Sequence, residues 1–493
     1  MRGTQIYRRC IRISYFCIRL FEIAEFKVSR LVEGETGEVN LMKVALFTVG
    51  CKLNQYETQA IAEQLEECGF ERVDFSQPAE IYVINTCTVT KESDYSSRQA
   101  IYRAKRMSPQ AKIIVTGCYA QLEREFLEKL PGVSLVVKQE EKGELVNLIA
   151  SLFGDDTIKH PAKKVKDEFF GFNVCNHAKH TRALVKIQDG CDKRCSYCVV
   201  PLARGTEKNR EVDSILAEIG CLVKNGYKEV VLTGVHIGRY NSAIGRSLPA
   251  EDWQAGASGG KDGLNLVGLS DKILNQTKVE RLRLSSIDPK EFSDELIDLI
   301  SKSNRQDTSQ RIARHLHIPL QSGDDHILSL MKRDYTTEEY RKLLEKIKSA
   351  VPEVMIGADV IVGFPGETDK QFENTCQFIL SSPLSYLHVF SYSDRKGTVA
   401  SQFPNKVSPQ IIHKRSEILH DLGKKKWEEY LDRFIGKTLD VLIEQKRDKK
   451  TGKLTGLSGN YIRVLLDGGD SLMNKIIRVS ILRRVGNVLV GKT

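Results

Sequence analysis

Three thiols lie within eight residues in "CDKRCSYC", where Cys191, Cys195 and Cys198 have the spacing C-x3-C-x2-C. Thiolates are ligands for zinc and for iron–sulfur clusters, and a closed structural site of either kind takes four protein ligands. This run supplies three. Either a zinc site draws its missing histidine from elsewhere, or one metal position is kept for a ligand that is not protein. Three more cysteines, Cys51, Cys87 and Cys118, directly follow the strand-like runs "TVG", "INT" and "VTG".

Those runs belong to a regular alternation that begins at Lys43. The strand "VALFTVG", the helix-like "NQYETQAIAEQLEECGF", the strand "IYVINT", the helix-like "SDYSSRQAIYRAKRM" and the strand "KIIVTG" follow one another. A βαβαβ series packs as a parallel sheet with helices on its faces, and ligands of such sheets gather at the carboxyl ends of the strands. Three thiols at equivalent ends therefore converge on one point. Burial as small hydrophobes explains one such cysteine but not three. Cys68, Cys221 and Cys376 instead sit in amphipathic helix-like segments and read as packing residues. Cys10, Cys17 and Cys175 lie in unpatterned stretches.

A second α/β stretch opens with "TRALVKIQDG" and runs straight into the C-x3-C-x2-C loop. It continues through the strands "KEVVLTGV", "RLRLSSID", "RHLHIPLQSG", "MIGADVIVGFPGE" and "YLHVFSYSD", with helical segments between them. Six strands alternating with helices predict a partial (β/α) barrel. Residues Asn241 to Gly268, rich in Gly, Ser and Ala, read as a long surface loop, and Ser303 to Gln310 as a shorter one. His236, His315 and His317 fall in strand contexts, where packing or hydrogen bonding is the better reading than metal ligation. No serine or cysteine hydrolase arrangement is present.

The chain has 493 residues, 41% hydrophobic and 28% charged, which is the composition of a soluble protein of several domains. Twelve cysteines in that length do not make a disulfide scaffold, and their clustering suits metal or redox chemistry in a reducing compartment, hence the cytoplasm. Residues 1–41 are basic and partly apolar, but Arg12 and Arg19 break any signal-peptide core or membrane span, and several glutamates argue against a transit peptide. The pattern starting at Lys43 makes Met42 the expected true start, with residues 1–41 a mis-annotated extension that is not translated; the plainer alternative is a disordered or helical tail.

C-x3-C-x2-C in the loop after the first strand of such a barrel resembles the radical S-adenosylmethionine (SAM) superfamily. With the strand-end cysteines, "HIPLQSG", "VGFPGET" and a small C-terminal β domain, the chain from 43 to 493 resembles the methylthiotransferases. "TVGCKLNQYET" is similar to the members that act on N6-threonylcarbamoyladenosine in tRNA, beside the anticodon. The resemblance implies that Cys191, Cys195 and Cys198 hold a [4Fe–4S] cluster whose open iron is chelated by SAM. One electron into the sulfonium then releases a deoxyadenosyl radical able to abstract the unreactive C2–H of adenine. Cys51, Cys87 and Cys118 are implied as ligands of a second [4Fe–4S] cluster that presents sulfur, with two SAM molecules used in all. Gly234 in "LTGVHIG" is implied in receiving the methionine amino group, although Thr233-Gly234-Val235 stands where many superfamily members have Gly-Gly-Glu. Gly363 and Gly366 in "VGFPGE" are implied as SAM contacts. An electron donor such as a flavodoxin or ferredoxin is a further implied partner.

From Lys424 to Thr493 sixteen Lys and Arg face eight Asp and Glu, a surplus of eight within a chain total of ten. The segment alternates as strands do, with Leu439, Val441 and Ile443 on one face, and it resembles the RNA-delivering TRAM domain. A merely solvated lysine-rich surface is the plainer alternative. The expected organisation is an N-terminal parallel-sheet domain at 42–156, a radical SAM barrel at 177–415 and a β-barrel at 424–493, α/β overall. Rival functions are methylthiolation of isopentenyladenosine in tRNA or of a ribosomal protein side chain, and a non-catalytic metal-bound RNA-binding protein.

Overall fold

The computed structural model describes residues 41–153, 174–176, 180–242, 263–304 and 311–493. Met42–Thr493 form one compact unit. The readings of residues 1–41, of Cys10 and Cys17, and of most of the two surface loops lie outside the described residues.

Five parallel strands build the first sheet: β1 (Lys43–Thr48), β2 (Glu71–Val73), β3 (Ile81–Thr86), β4 (Lys112–Gly117) and β5 (Val133–Val137), in the order β2-β1-β3-β4-β5. All six residues of β3 are buried, as expected of a central parallel strand covered on both faces. Helix α1 (Lys52–Glu67) follows β1, and α2 (Lys91–Met107) follows β3 with the Thr90 side chain capping it through Ser93 N. The edge strands β2 and β5 are short and carry no alternation that the sequence reading could detect.

The second layer has six parallel strands in two sheets. β6 (Arg182–Lys186), β7 (Glu229–Thr233) and β8 (Arg281–Leu284) form one, and β9 (His315–His317), β10 (Met355–Val362) and β11 (Tyr386–Ser391) the other. Parallel bridges Leu282↔Ile312 and Ser286↔His317 join them into a partial barrel. Ala183, Val185, Val230, Leu232, Ile356 and Val360 point outward into one apolar core with the surrounding helices. Thr336 with Glu339 and Thr368 with Gln371 form capping boxes that start two of those helices. "RHLHIPLQSG" gives only three strand residues, because Pro319 ends the ladder. A helix, Leu266–Gln276, begins inside the interval read as loop, with Asn265 as its cap.

A single helix, Pro409–Asp432, capped by Ser408 and with Pro at its start, runs unbroken across the gap expected between barrel and C-terminal domain. The chain then closes a five-stranded barrel from β12 (Thr438–Arg447), β13 (Leu454–Ser458), β14 (Arg463–Leu466), β15 (Ile476–Val485) and β16 (Val488–Lys492). Leu439, Val441 and Ile443 are buried in its core. Lys446, Lys449, Lys450, Arg478 and Arg483 are exposed and have no ion-pair partner among the described residues.

Cys221 does not pack as a free small hydrophobe. It is disulfide-bonded to Cys175, with Cα atoms 5.5 Å apart, because the segment before β6 passes beside the end of helix Val212–Lys224, where Asn225 Nδ2 also bonds Cys175 O. A separation of 46 residues leaves no trace of that pairing in the local pattern. Cys68 and Cys376 are free, as read. Among the described residues no helix is long and apolar enough to cross a membrane.

Candidate active site

β1, β3 and β4 are neighbours in the sheet, and each releases its cysteine at the same end. Gly50 precedes Cys51 at φ +105°, and a Cβ there would lie 2.5 Å from Cys87 Cβ. Gly117 precedes Cys118 at φ +101°, and a Cβ there would lie 2.3 Å from Thr86 O. Both positions therefore admit only glycine, and both bring the thiol-bearing loops together. Asn54 ties the loops from within, donating from Nδ2 to Val49 O at 2.8 Å and to Thr86 O at 3.1 Å. Cys51, Cys87 and Cys118 lie in electrostatic range of one another. Burial pushes the Cys118 thiol up to about 11, and the Arg204 guanidinium pulls against it.

The second triplet occupies the loop after β6. Ser196 fastens that loop across the barrel: its N–H and Oγ donate to Met331 O and Leu330 O, and its carbonyl accepts from Ala400 N. Arg333 Nη1 lies 3.1 Å from Cys195 Sγ, and its other end is paired with Asp288, which also binds Lys193 at 3.0 Å. His236 Nδ1 lies 3.8 Å from Cys191 Sγ, and its Nε2 is 2.5 Å from Glu291 Oε1. Burial pushes the Cys198 thiol up to about 12, offset in part by the Val200 N–H.

Among the described residues His317, Asp359 and His388 bring three potential ligand atoms within 4.8 Å of one another. The two cysteine triplets offer thiols, the ligands that iron–sulfur clusters take. Donors already face the sulfurs: Arg333 at Cys195, and Gln139 Nε2 at 3.8 Å from Cys118. Hydrogen bonds to thiolate and cluster sulfur are the means by which a protein tunes such a group.

One cavity is lined by Cys198 of the second triplet and by the segment that follows Cys87 of the first. Val89 and Thr90, just beyond Cys87, form one wall, Tyr197 and Cys198 another, and Asp359 and Phe390 on the barrel strands a third. By the cysteine loop, where its N–H donates to Asp192 Oδ1, Glu207 is buried with both carboxylate oxygens lacking hydrogen bonds. Burial pushes its carboxyl up to about 7, while Arg239 and His236 pull it down. Its Oε2 is paired with Arg239 Nε at 3.3 Å, and a buried carboxylate next to the cysteine loop suits the ammonium group of a bound amino acid.

Sequence reasoning placed the six cysteines and missed the side chains that organise them. Arg204 ends the helix Val200–Arg204 that follows the second triplet, yet its guanidinium reaches Asn54 Oδ1 at 2.6 Å and Glu57 Oε1 at 2.9 Å on α1. Glu57 is buried and also binds Lys142 and Lys186. Burial raises its carboxyl, but Arg204 and the two lysines hold it well below the usual range. No local signal marks such a network, because its members are far apart in sequence. Gly234 packs under Gln188, where a Cβ would lie 2.8 Å from the carbonyl. The close approach at Gly363 is made by Ile412, 2.3 Å from a Cβ built there, and not by open space for a ligand. The Gly366 N–H donates to Asn405 O. Of the histidines discounted as ligands, His315 stacks on Tyr461, while His317 Nε2 binds Asp359 at 2.8 Å and His388 Nδ1 binds it at 3.2 Å.

Residues 43–138 match the uncharacterized protein family UPF0004, and residues 185–379 match the Radical SAM superfamily. Fold and family match define a radical SAM enzyme that transfers a sulfur-containing group. The chain is 37% identical over 445 residues to threonylcarbamoyladenosine tRNA methylthiotransferase MtaB of Bacillus subtilis (strain 168), covering 89% of this chain and 94% of that one. It is 37% identical over 447 residues to MtaB of Aquifex aeolicus (strain VF5), covering 89% of this chain and 100% of that one. The chain belongs to the threonylcarbamoyladenosine tRNA methylthiotransferase family. Among solved structures it is similar to the radical SAM methyltransferase TsrM from Kitasatospora setae, at a TM-score of 0.46 and 16% identity, covering 71% of this chain and 75% of that one.

Proposed function

We propose that this protein places a methylthio group on C2 of N6-threonylcarbamoyladenosine beside the anticodon of tRNA, using two SAM molecules and two [4Fe–4S] clusters. The observation that carries the proposal is the cavity walled by Val89 and Thr90, which follow Cys87 in the chain, and by Tyr197 and Cys198. A base entering it meets Cys198 and the segment that leads from Cys87. Cys191, Cys195 and Cys198 would hold one cluster, and Cys51, Cys87 and Cys118 the other. When bound, the clusters and SAM supply one-electron chemistry that can break an aromatic C–H bond, which acid–base side chains cannot do.

The chain's own residues bind and orient. Arg333 donates to the Cys195 sulfur, and His236 Nδ1 lies against the Cys191 sulfur, so that both cysteines are held in place. Glu207 and the Gly234 segment would receive the amino group of SAM, and the end of β10 toward Gly363 and Gly366 would flank its adenosine. Arg204, bridging the second-triplet helix to α1, fixes the two centres relative to each other. The exposed cations Lys446, Lys449, Lys450, Arg478 and Arg483 would meet the phosphate backbone. Nucleoside mass analysis of tRNA from cells with and without the gene tests this reading. The methylthio form of threonylcarbamoyladenosine should vanish in the deletion and return with the gene. Its persistence, in cells with no other enzyme for it, contradicts the substrate assignment.

A further inference from the structure

The barrel lumen below the cavity is unusually cationic. Arg281 and Arg283 both pair with the buried Glu229, at 3.2 and 2.7 Å, and Arg182 and Arg283 lie against the ring of Tyr461 at 5.6 and 5.1 Å. Tyr461 belongs to the C-terminal barrel and plugs the floor, held there by Arg283 bonds to Ser458 O and Gly459 O. The surrounding cations hold its phenol below the ordinary value despite burial, which raises it. His315 stacks on Tyr461 at 4.5 Å and is buried, and its Nδ1 has no hydrogen-bond partner.

Into this lumen projects Lys52, the residue after Cys51. It lies in electrostatic range of Tyr461, Arg283, Arg182 and Glu229, and it makes no hydrogen bond or ion pair with a described residue. Its position is unfavourable on two further counts. It is the first residue of α1, at the positive end of the helix dipole, and that helix has no acidic residue in its first turn and no side-chain cap. Folding alone offers no reason for an unpaired cation among arginines at a helix N-terminus. An anion arriving there meets one.

Strand register supplies the reach. Asp359, on the cavity wall, lies opposite His388; one level down Gly357 lies between His317 and Tyr386, and the next level holds His315 opposite Met355. Each level is two residues, roughly 6.7 Å. Gly357 carries no side chain into the lumen at the middle level. From C2 of an adenine to the end of an extended N6-threonylcarbamoyl chain is on the order of 10 Å in standard bond lengths. With C2 in the cavity beside Cys198 and the chain running down past Asp359, the chain's end falls among Lys52, His317 and His315.

We infer that Lys52, with the unpartnered Nδ1 of His315 nearby, binds the carboxylate of the threonylcarbamoyl group and thereby selects this base over adenosines with uncharged N6 substituents. The inference rests on the function proposed above. Its test uses the enzyme with both clusters in place, on an anticodon stem-loop carrying threonylcarbamoyladenosine and on the same RNA with the threonyl carboxylate as its methyl ester. The wild type should lose roughly 10- to 100-fold in kcat/KM on the ester, mostly in KM, the worth of one charge-assisted hydrogen bond. Lys52→Gln should lose the same factor on the acid and no longer distinguish acid from ester, and Lys52→Arg should regain part of the preference. Equal rates of the wild type on acid and ester overturn the inference whether or not Lys52→Gln folds. So does a Lys52→Gln enzyme that keeps the preference. A wild type inactive on the acid itself overturns the proposed function, and the inference falls with it.

Discussion

Arg204 and Asn54 join the two cysteine centres: the guanidinium at the end of the helix behind Cys198 donates at 2.6 Å to the amide oxygen that sits between the loops of Cys51 and Cys87. The same guanidinium binds Glu57, which lies between Lys142 and Lys186. Removing one partner from such a buried network leaves charge uncompensated. Arg204→Met should cost about 3 kcal/mol in urea unfolding. It should also lower methylthiolation while SAM cleavage continues, because the second triplet itself is untouched. Parallel loss of both activities at unchanged stability would contradict this linking role.

Gly117→Ala should be more damaging than its size suggests. The added methyl meets Thr86 O at 2.3 Å on a backbone with φ +101°, and neither can yield without moving Cys118. Anaerobic reconstitution should give about four irons per chain instead of about eight, with the cluster at Cys191, Cys195 and Cys198 retained. Full iron content in the variant would show that Cys118 is not needed where the structure holds it.

The cysteines and their supporting strands were legible in the sequence because each element repeats a short local pattern. An apolar run ending in cysteine needs only a few residues to be seen, and parallel order then follows from the alternation with helices. Arg204, Glu57, Lys52 and Tyr461 were not legible. Their contacts arise only where separate segments of the chain meet, even though Lys52 and Glu57 lie within "TVGCKLNQYET". The same holds for Cys175 and Cys221, whose pairing depends on where a distant segment crosses a helix end. At Gly363 the neighbour that comes near is Ile412, and sequence shows only that something does.

Glu218 gives a pH signature to the interface of α1 with the barrel. It is buried, paired with Arg210, and accepts from Tyr56 Oη at 3.1 Å. Burial pushes its carboxyl up to about 7 against the pull of Arg210. A carboxyl whose folded value lies above its unfolded value, here 4.5, contributes stability that is complete below the unfolded value and is lost as pH rises through about 7. Between about pH 5 and about pH 8 the wild type should lose on the order of 2 kcal/mol relative to Glu218→Gln, which cannot ionise. Parallel stability curves for the two proteins would contradict the shift.

The helix Pro409–Asp432 and the Tyr461 plug make deletion of the C-terminal barrel a poor probe of RNA binding, since the radical SAM barrel would lose its floor. Replacing Lys446, Lys449 and Lys450 by Gln removes exposed charge alone. If these meet phosphates, the slope of log affinity for tRNA against log salt should fall by about 0.7–0.9 for each phosphate that is no longer neutralised, with Tm unchanged. An unchanged slope places the RNA backbone elsewhere.

The most direct measurement separates the two triplets. Cys195→Ala and Cys87→Ala are compared in one anaerobic reaction with SAM, reductant and tRNA, and deoxyadenosine and modified nucleoside are both quantified by mass spectrometry. Cys195→Ala should form neither, because the loop that Ser196 and Arg333 position can no longer hold the cluster that SAM requires. Cys87→Ala should still form deoxyadenosine and yield no methylthio product. Loss of deoxyadenosine formation in Cys87→Ala, with its circular dichroism and its remaining cluster intact, would contradict the division of labour between the two centres.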